Sequence, residues 1–94
     1  MSEKSIKHYD VVVTGRVQGV GFRYSAFNQA RKLGINGYVK NLFSGDVKLE
    51  IEGSETATDL MLDWCRQGPT TSRVENANIS EGNIKNYNTF EVRY

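Results

Sequence analysis

The stretch Gly15-Arg16-Val17-Gln18-Gly19-Val20-Gly21-Phe22-Arg23 gathers the groups best suited to grip an anion. It follows the β-branched run Val11-Val12-Val13 and precedes apolar residues at helical spacing, so it joins a strand to a helix N-terminus. The first amides of a helix have no partner within it, and the helix dipole favours negative charge there. Gly19 and Gly21 can take positive φ and let a ligand approach the backbone, so that successive amides converge on one anion. Arg23 adds a planar fork of donors in the first turn. A cation at that position opposes the helix dipole unless an anion joins it. The plain alternative is a glycine-rich turn followed by a surface arginine.

Other chemistries lack their residues. No Gly-x-x-x-x-Gly-Lys-Ser/Thr string occurs, and Gly19-Val20-Gly21 is followed by Phe22-Arg23-Tyr24, without the third glycine of the dinucleotide fingerprint. Cys65 has Thr71 six positions on, where a cysteine-nucleophile phosphatase loop needs arginine. The lone histidine, His8, and lone cysteine make no triad, disulfide or familiar metal spacing. His8 is expected at the surface, ahead of the first strand. No metal and no cofactor are expected.

Gly37-Tyr38-Val39-Lys40-Asn41 is the second informative stretch. On a strand, Val39, Asn41 and Phe43 share one face and Tyr38, Lys40 and Leu42 the other. Lys40 marks its face as the wetter one, which leaves the Asn41 amide on the apolar side, where it needs partners. Asn41 is therefore a candidate functional residue, although on the residues alone the favoured reading is that it begins the turn that follows.

These positions require a frame of alternating elements. Tyr9 to Thr14 reads as a strand ended by Gly15. Phe22, Ala26, Phe27, Ala30 and Leu33 line one side of a helix that Gly34 stops. Gly37 to Phe43 is a second strand, and Ser44-Gly45-Asp46 a hairpin turn. Val47, Leu49 and Ile51 alternate with Lys48, Glu50 and Glu52, a strand with one solvated face. A second helix follows Gly53, capped by Ser54 or Thr56, with Ala57, Leu60, Met61 and Trp64 as its apolar stripe and Gly68-Pro69 as its stop. Cys65 flanks that stripe as a buried structural thiol. Val74, Ala77 and Ile79 break period two once, which predicts a bulge in a fourth strand. Phe90, Val92 and Tyr94 make a short closing strand.

The order predicts an α+β sandwich, the ferredoxin-like βαββαβ fold, with two helices on one face of an antiparallel sheet and a short extra C-terminal strand. Residues 1–7 are expected as a flexible N-terminus and 8–94 as a single domain. At 94 residues the chain suits one core, and its 12 basic and 11 acidic residues give a net charge of +1. That balance argues against nucleic-acid and membrane-surface partners. An RNA-binding domain of this topology would stack bases on its third strand, where Lys48, Glu50 and Glu52 stand instead. With no apolar run near membrane length and a single cysteine, a cytoplasmic monomer is expected.

Val17-Gln18-Gly19-Val20-Gly21-Phe22-Arg23, followed by Leu33-Gly34-Ile35-Asn36-Gly37-Tyr38-Val39-Lys40-Asn41, closely resembles the acylphosphatase family. Gly45-Asp46-Val47, Gly53, Gly68-Pro69 and Val74 also fall where that family has similar residues. The match runs from about residue 8 to Tyr94, with Tyr38 where the family often has tryptophan. The resemblance implies hydrolysis of acyl phosphates to a carboxylate and inorganic phosphate. It implies that the backbone of Val17, Gln18, Gly19, Val20, Gly21 and Phe22, with the Arg23 guanidinium, holds the phosphoryl group, and that Asn41 positions the attacking water. Inorganic phosphate or sulfate should occupy the same loop. A non-catalytic phosphate- or anion-binding module on the same fold is the alternative.

Overall fold

The computed structural model describes residues 5–94. The elements run β1 (Ile6–Arg16), α1 (Phe22–Leu33), β2 (Asn36–Asn41), β3 (Val47–Ser54), α2 (Glu55–Gln67), β4 (Arg73–Glu81) and β5 (Phe90–Arg93). One five-stranded sheet has the order β4-β1-β3-β2-β5. All pairs are antiparallel except β2–β5, which is parallel. The ferredoxin-like expectation therefore holds, including the added C-terminal strand. β1 starts earlier than expected: Ile6 and Lys7, placed in the tail by sequence, pair with Ser54 and Gly53.

Alternation along the strands builds the core. Tyr9, Val11 and Val13 pair with Ile51, Leu49 and Val47, and Val39 pairs with Leu49. This face meets Phe22, Ala26 and Ala30 of α1 and Met61, Leu62 and Cys65 of α2. Gly34 ends α1 in the left-handed conformation, as its sequence position suggests. The predicted bulge is present: Thr14 pairs with Asn76 and Gly15 with Val74, so Glu75 is the extra residue of β4.

The stripe of α2 is rotated from the expected one. Ser54, not Thr56, is the cap, its hydroxyl accepting from the Ala57 amide at 3.1 Å. Thr58 takes a core position because its hydroxyl donates to the Ser54 and Glu55 carbonyls, so no donor is left unsatisfied. Leu60, placed in the stripe by spacing, is 49% exposed. Trp64 packs at the edge of the core against Phe22, ring centroids 5.2 Å apart.

The second face of the sheet is the larger correction. Glu50 and Glu52, expected in solvent, are each 4% exposed, and His8, expected at the surface, is 1% exposed. The segment 82–89, which carries the chain from β4 at one sheet edge to β5 at the other, covers them. Glu52 accepts from the backbone amides of Lys85 and Tyr87, and its Oε2 lies 2.8 Å from His8 Nδ1. Glu50 accepts from the hydroxyls of Tyr38 and Tyr87, both at 2.7 Å, and from Lys85 Nζ at 2.9 Å. Tyr38 is thereby buried on the face that Lys40 had marked as wet. Phe43 departs in the other direction: β2 ends at Asn41, and Phe43 stands fully exposed at the turn tip.

These carboxylates make the fold acid-sensitive. Burial opposes ionisation of Glu50, but the hydrogen bonds from Lys85, Tyr87 and Tyr38 outweigh it and hold the carboxyl at about 2, below its ordinary 4.5. A depressed folded-state value contributes stability above the unfolded value and loses it as pH falls through the folded one. Urea midpoints should therefore fall as pH drops from about 5 to about 2. Glu50→Gln should lose about 3 kcal/mol near neutral pH and show a flatter acid limb. An acid limb equally steep in the variant would assign the sensitivity to other groups.

Candidate active site

β3 is antiparallel to both β1 and β2, so β1 and β2 run in the same direction, and β5 runs parallel to β2. The carboxyl ends of β1, β2 and β5 consequently lie at one end of the sheet. Residues 17–21 leave β1 there, Asn41 ends β2 there, and Arg93 and Tyr94 end β5 there.

The loop is built from both sides. Val17 is buried in the core, and Phe22 is buried against Trp64. Their side chains fix the two ends, so only their backbone can meet a ligand. Gly19 and Gly21 have φ of 73° and 80°, a region open to glycine without the Cβ penalty. Val20 packs against the core, and its carbonyl accepts from the Thr71 hydroxyl at 2.7 Å. Across a trans peptide the Gly21 N–H points the opposite way, away from Thr71.

Gly21 is the N-cap of α1, and no side chain caps it. The first helical bond runs from the Ser25 amide to the Gly21 carbonyl at 3.0 Å. The amides of Phe22, Arg23 and Tyr24 therefore precede the intrahelical ladder. The first turn carries no acidic residue, so nothing in it offsets the positive end of the dipole.

Arg23 projects from this turn. Its Nη1 donates to the Arg93 carbonyl at 3.0 Å, and its guanidinium carbon lies 4.6 Å from the Tyr94 ring centroid. A guanidinium has five N–H donors, so this anchorage leaves most of them for an anion. Asn41 pairs with Val47 and so shares the helix-facing side with Val39, as alternation predicted. It is half-buried, and the turn proper lies beyond it at residues 42–46.

One open cavity of about 200 Å³ brings together Val17, Gly19, Gly21, Phe22, Arg23 and Asn41 from the predicted set. Tyr24, Val92 and Tyr94 complete its lining. None of the three carried a functional signal: Tyr24 simply follows Arg23 in α1, and although the alternation of Val92 and Tyr94 was legible, the place of β5 beside β2, which carries Tyr94 to Arg23, was not. Gln18 and Val20 are not in the lining. The Gln18 amide instead donates to the carbonyls of Leu42 and Asp46.

Among the described residues, His8, Asp10 and Glu50 form the group that places three potential metal ligands together. Glu50 Oε1 there already accepts from Lys85 and Tyr87. The group lies on the covered sheet face, several residues along β1 from the loop. No described helix is long and apolar enough to cross a membrane.

Comparison with known proteins follows the same residues. The acylphosphatase family model matches residues 9–92. An acylphosphatase of Geobacter sulfurreducens is 41% identical over 85 residues, covering 89% of this chain and 93% of the relative. One from Archaeoglobus fulgidus is 44% identical, covering 90% and 96%. The solved structure of an acylphosphatase from Coxiella burnetii superposes with a TM-score of 0.90 at 38% identity, covering 94% of this chain and 93% of that one. With its glycine loop, Arg23 and Asn41 gathered at one end of the sheet, and with relatives matched over nearly their whole length, this chain belongs to the acylphosphatase family.

Proposed function

We propose that the protein hydrolyses the carboxyl–phosphate bond of small acyl phosphates at this cavity. The observation that carries the residue roles is the convergence of an uncapped helix N-terminus, the Arg23 fork and the Asn41 amide on one solvent-open space. Of the loop 17–22, the amides that reach the cavity, around Gly19, Gly21 and Phe22, receive the phosphoryl oxygens together with the Arg23 guanidinium. Asn41 orients the water. Water oxygen forms a bond to phosphorus, the P–O bond to the acyl group breaks, and its electron pair leaves on the carboxylate. The water proton ends on the phosphate.

A carboxylate leaves without being protonated, so a general acid is dispensable. Phosphoryl transfer depends mainly on positioning and on stabilising charge at the equatorial oxygens. Those are the services that fixed amides and a guanidinium supply. Asn41 is no base, and its part is orientation alone. The reading extends to a cytoplasmic monomer. In support, Cys65 is the chain's single cysteine and is buried, out of reach of a disulfide between two copies.

Arg23→Ala should lower kcat/KM on benzoyl phosphate by about 10²–10³. Phosphate should raise the Tm of the wild type and much less that of Arg23→Ala, because only a ligand of the native state stabilises it. Equal shifts in the two proteins would mean a general salt effect and remove Arg23 from the site.

Asn41→Ala should lose about 10²-fold or more in kcat while phosphate still binds, since the group acts mainly in the transition state. A turn-forming role predicts the reverse, lower stability with normal turnover of the folded fraction. Asn41→Asp brings a negative charge towards an anionic substrate. If it keeps wild-type turnover and phosphate binding, Asn41 lies outside the phosphoryl site. Turnover is also expected to persist in excess chelator; loss that magnesium restores would overturn the metal-free mechanism.

A further inference from the structure

Gln18 stands inside the glycine loop, yet it does not line the cavity, and its side chain bridges to the turn after β2. Its Nε2 donates to the Leu42 carbonyl and to the Asp46 carbonyl, each at 2.8 Å, across separations of 24 and 28 residues. A carboxamide nitrogen has two hydrogens, so both are committed. The same two carbonyls close the turn after β2. Leu42 N–H donates to Asp46 O at 2.9 Å, and Gly45 N–H to Leu42 O at 3.1 Å.

We propose that Gln18 is a positioning residue for Asn41: it fastens the β2–β3 turn to the phosphate loop and so sets where the oriented water stands relative to phosphorus. The proposal rests on the roles assigned above to the loop and to Asn41. Leu42 directly follows Asn41, so a restraint on its carbonyl restrains the Asn41 backbone. Other restraints run out at this point. Pairing with β5 stops at Lys40, and Asn41 keeps only its pairing with Val47 of β3. Beyond it, Phe43, Ser44 and Gly45 are exposed, so the turn tip has no packing of its own. The loop end of the link is firm, because the neighbouring Val17 is 1% exposed in the core.

The chemistry of the side chain is specific. Glutamate would place an acceptor against two carbonyl oxygens. Methionine keeps the length and has no donor. Each removes the link while leaving the loop backbone in place.

The test combines Gln18→Met, Gln18→Glu and Asn41→Ala with the double variant Gln18→Met/Asn41→Ala. Its readouts are kcat and KM on benzoyl phosphate, inhibition by inorganic phosphate, and the phosphate-induced rise in Tm, which also reports folding. A displacement of about 1 Å at a reacting group can cost about 10²-fold, so Gln18→Met should lower kcat by about 10- to 100-fold. Its phosphate inhibition constant should stay within about threefold of wild type, because the loop and Arg23 are intact. In the Asn41→Ala background the same substitution should cost less than about twofold in kcat, since residues acting through one group are non-additive. Gln18→Glu should reproduce the kcat loss and serves if the methionine variant does not fold.

A parallel loss of phosphate binding would make Gln18 a ligand of the anion and overturn the proposal. Additive losses in the double variant, or normal kcat in either folded single variant, would overturn it too. If Asn41→Ala alone keeps normal turnover, the assignment of Asn41 has failed. If Asn41→Ala is impaired and Gln18→Met is not, only the positioning role has failed.

Discussion

The antiparallel pairing of β3 with both β1 and β2 is the constraint from which the site follows. It forces β1 and β2 to run in the same direction with β3 between them, so their carboxyl ends lie about 10 Å apart at one end of the sheet. A loop that leaves β1 and a residue that ends β2 then face one space, though they are far apart in sequence. Hydrophobic register fixes the pairing: Val11 and Val39 both lie opposite Leu49, and a slip of one residue would turn every core side chain into the wrong face. The register that buries Leu49 is also the one that aims Asn41 at the helix side, where the loop arrives.

The second face contributes through β5. The segment 82–89 must cross the whole sheet to deliver β5 beside β2, and it does so over two buried carboxylates. Glu52 takes the amides of Lys85 and Tyr87, and the Asn36 side chain donates to the Tyr87 carbonyl at 3.0 Å. Backbone donors that would face an apolar surface unsatisfied are thereby paired. β5 then brings the Arg93 carbonyl to Arg23, while the Arg93 guanidinium stacks 4.0 Å from the Tyr38 ring centroid. Tyr38 itself donates to Glu50. The anchorage of Arg23 thus continues, contact by contact, into the polar cluster beneath the crossing segment.

Legibility in the sequence follows the same division. Features set by local chemistry could be read: the positive φ of Gly19 and Gly21, the stop at Gly34, the strand face shared by Val39 and Asn41, the extra residue in β4. Features set by a distant segment could not. Lys48, Glu50 and Glu52 alternate with apolar residues as any half-solvated strand does, and nothing local says that a segment some thirty residues on will cover them. That segment has no periodicity, so its role was silent. His8 followed the same error, since its partners are Glu52 and Asp10 rather than solvent. Thr58 shows a subtler limit: a threonine that satisfies its own hydroxyl within the helix can occupy a core position, and spacing of apolar residues alone then misplaces the stripe. Gln18 shows the limit inside a motif, where neighbours in sequence point in opposite directions.

The division of labour within the loop explains how a domain this small can hold the proposed anion site in place without burying it. An exposed glycine loop would ordinarily be mobile, and binding an anion would then have to order it. Here each non-glycine loop residue is tied to a different part of the fold: Val17 to the core, Gln18 to the β2–β3 turn, Val20 to Thr71, and Phe22 to Trp64. Gly19 and Gly21 are left between these ties, at the positions where the backbone meets the cavity. For the reaction proposed above, a loop tied in this way would be ordered on folding rather than on binding, and the binding energy of the phosphoryl group would remain available for the transition state.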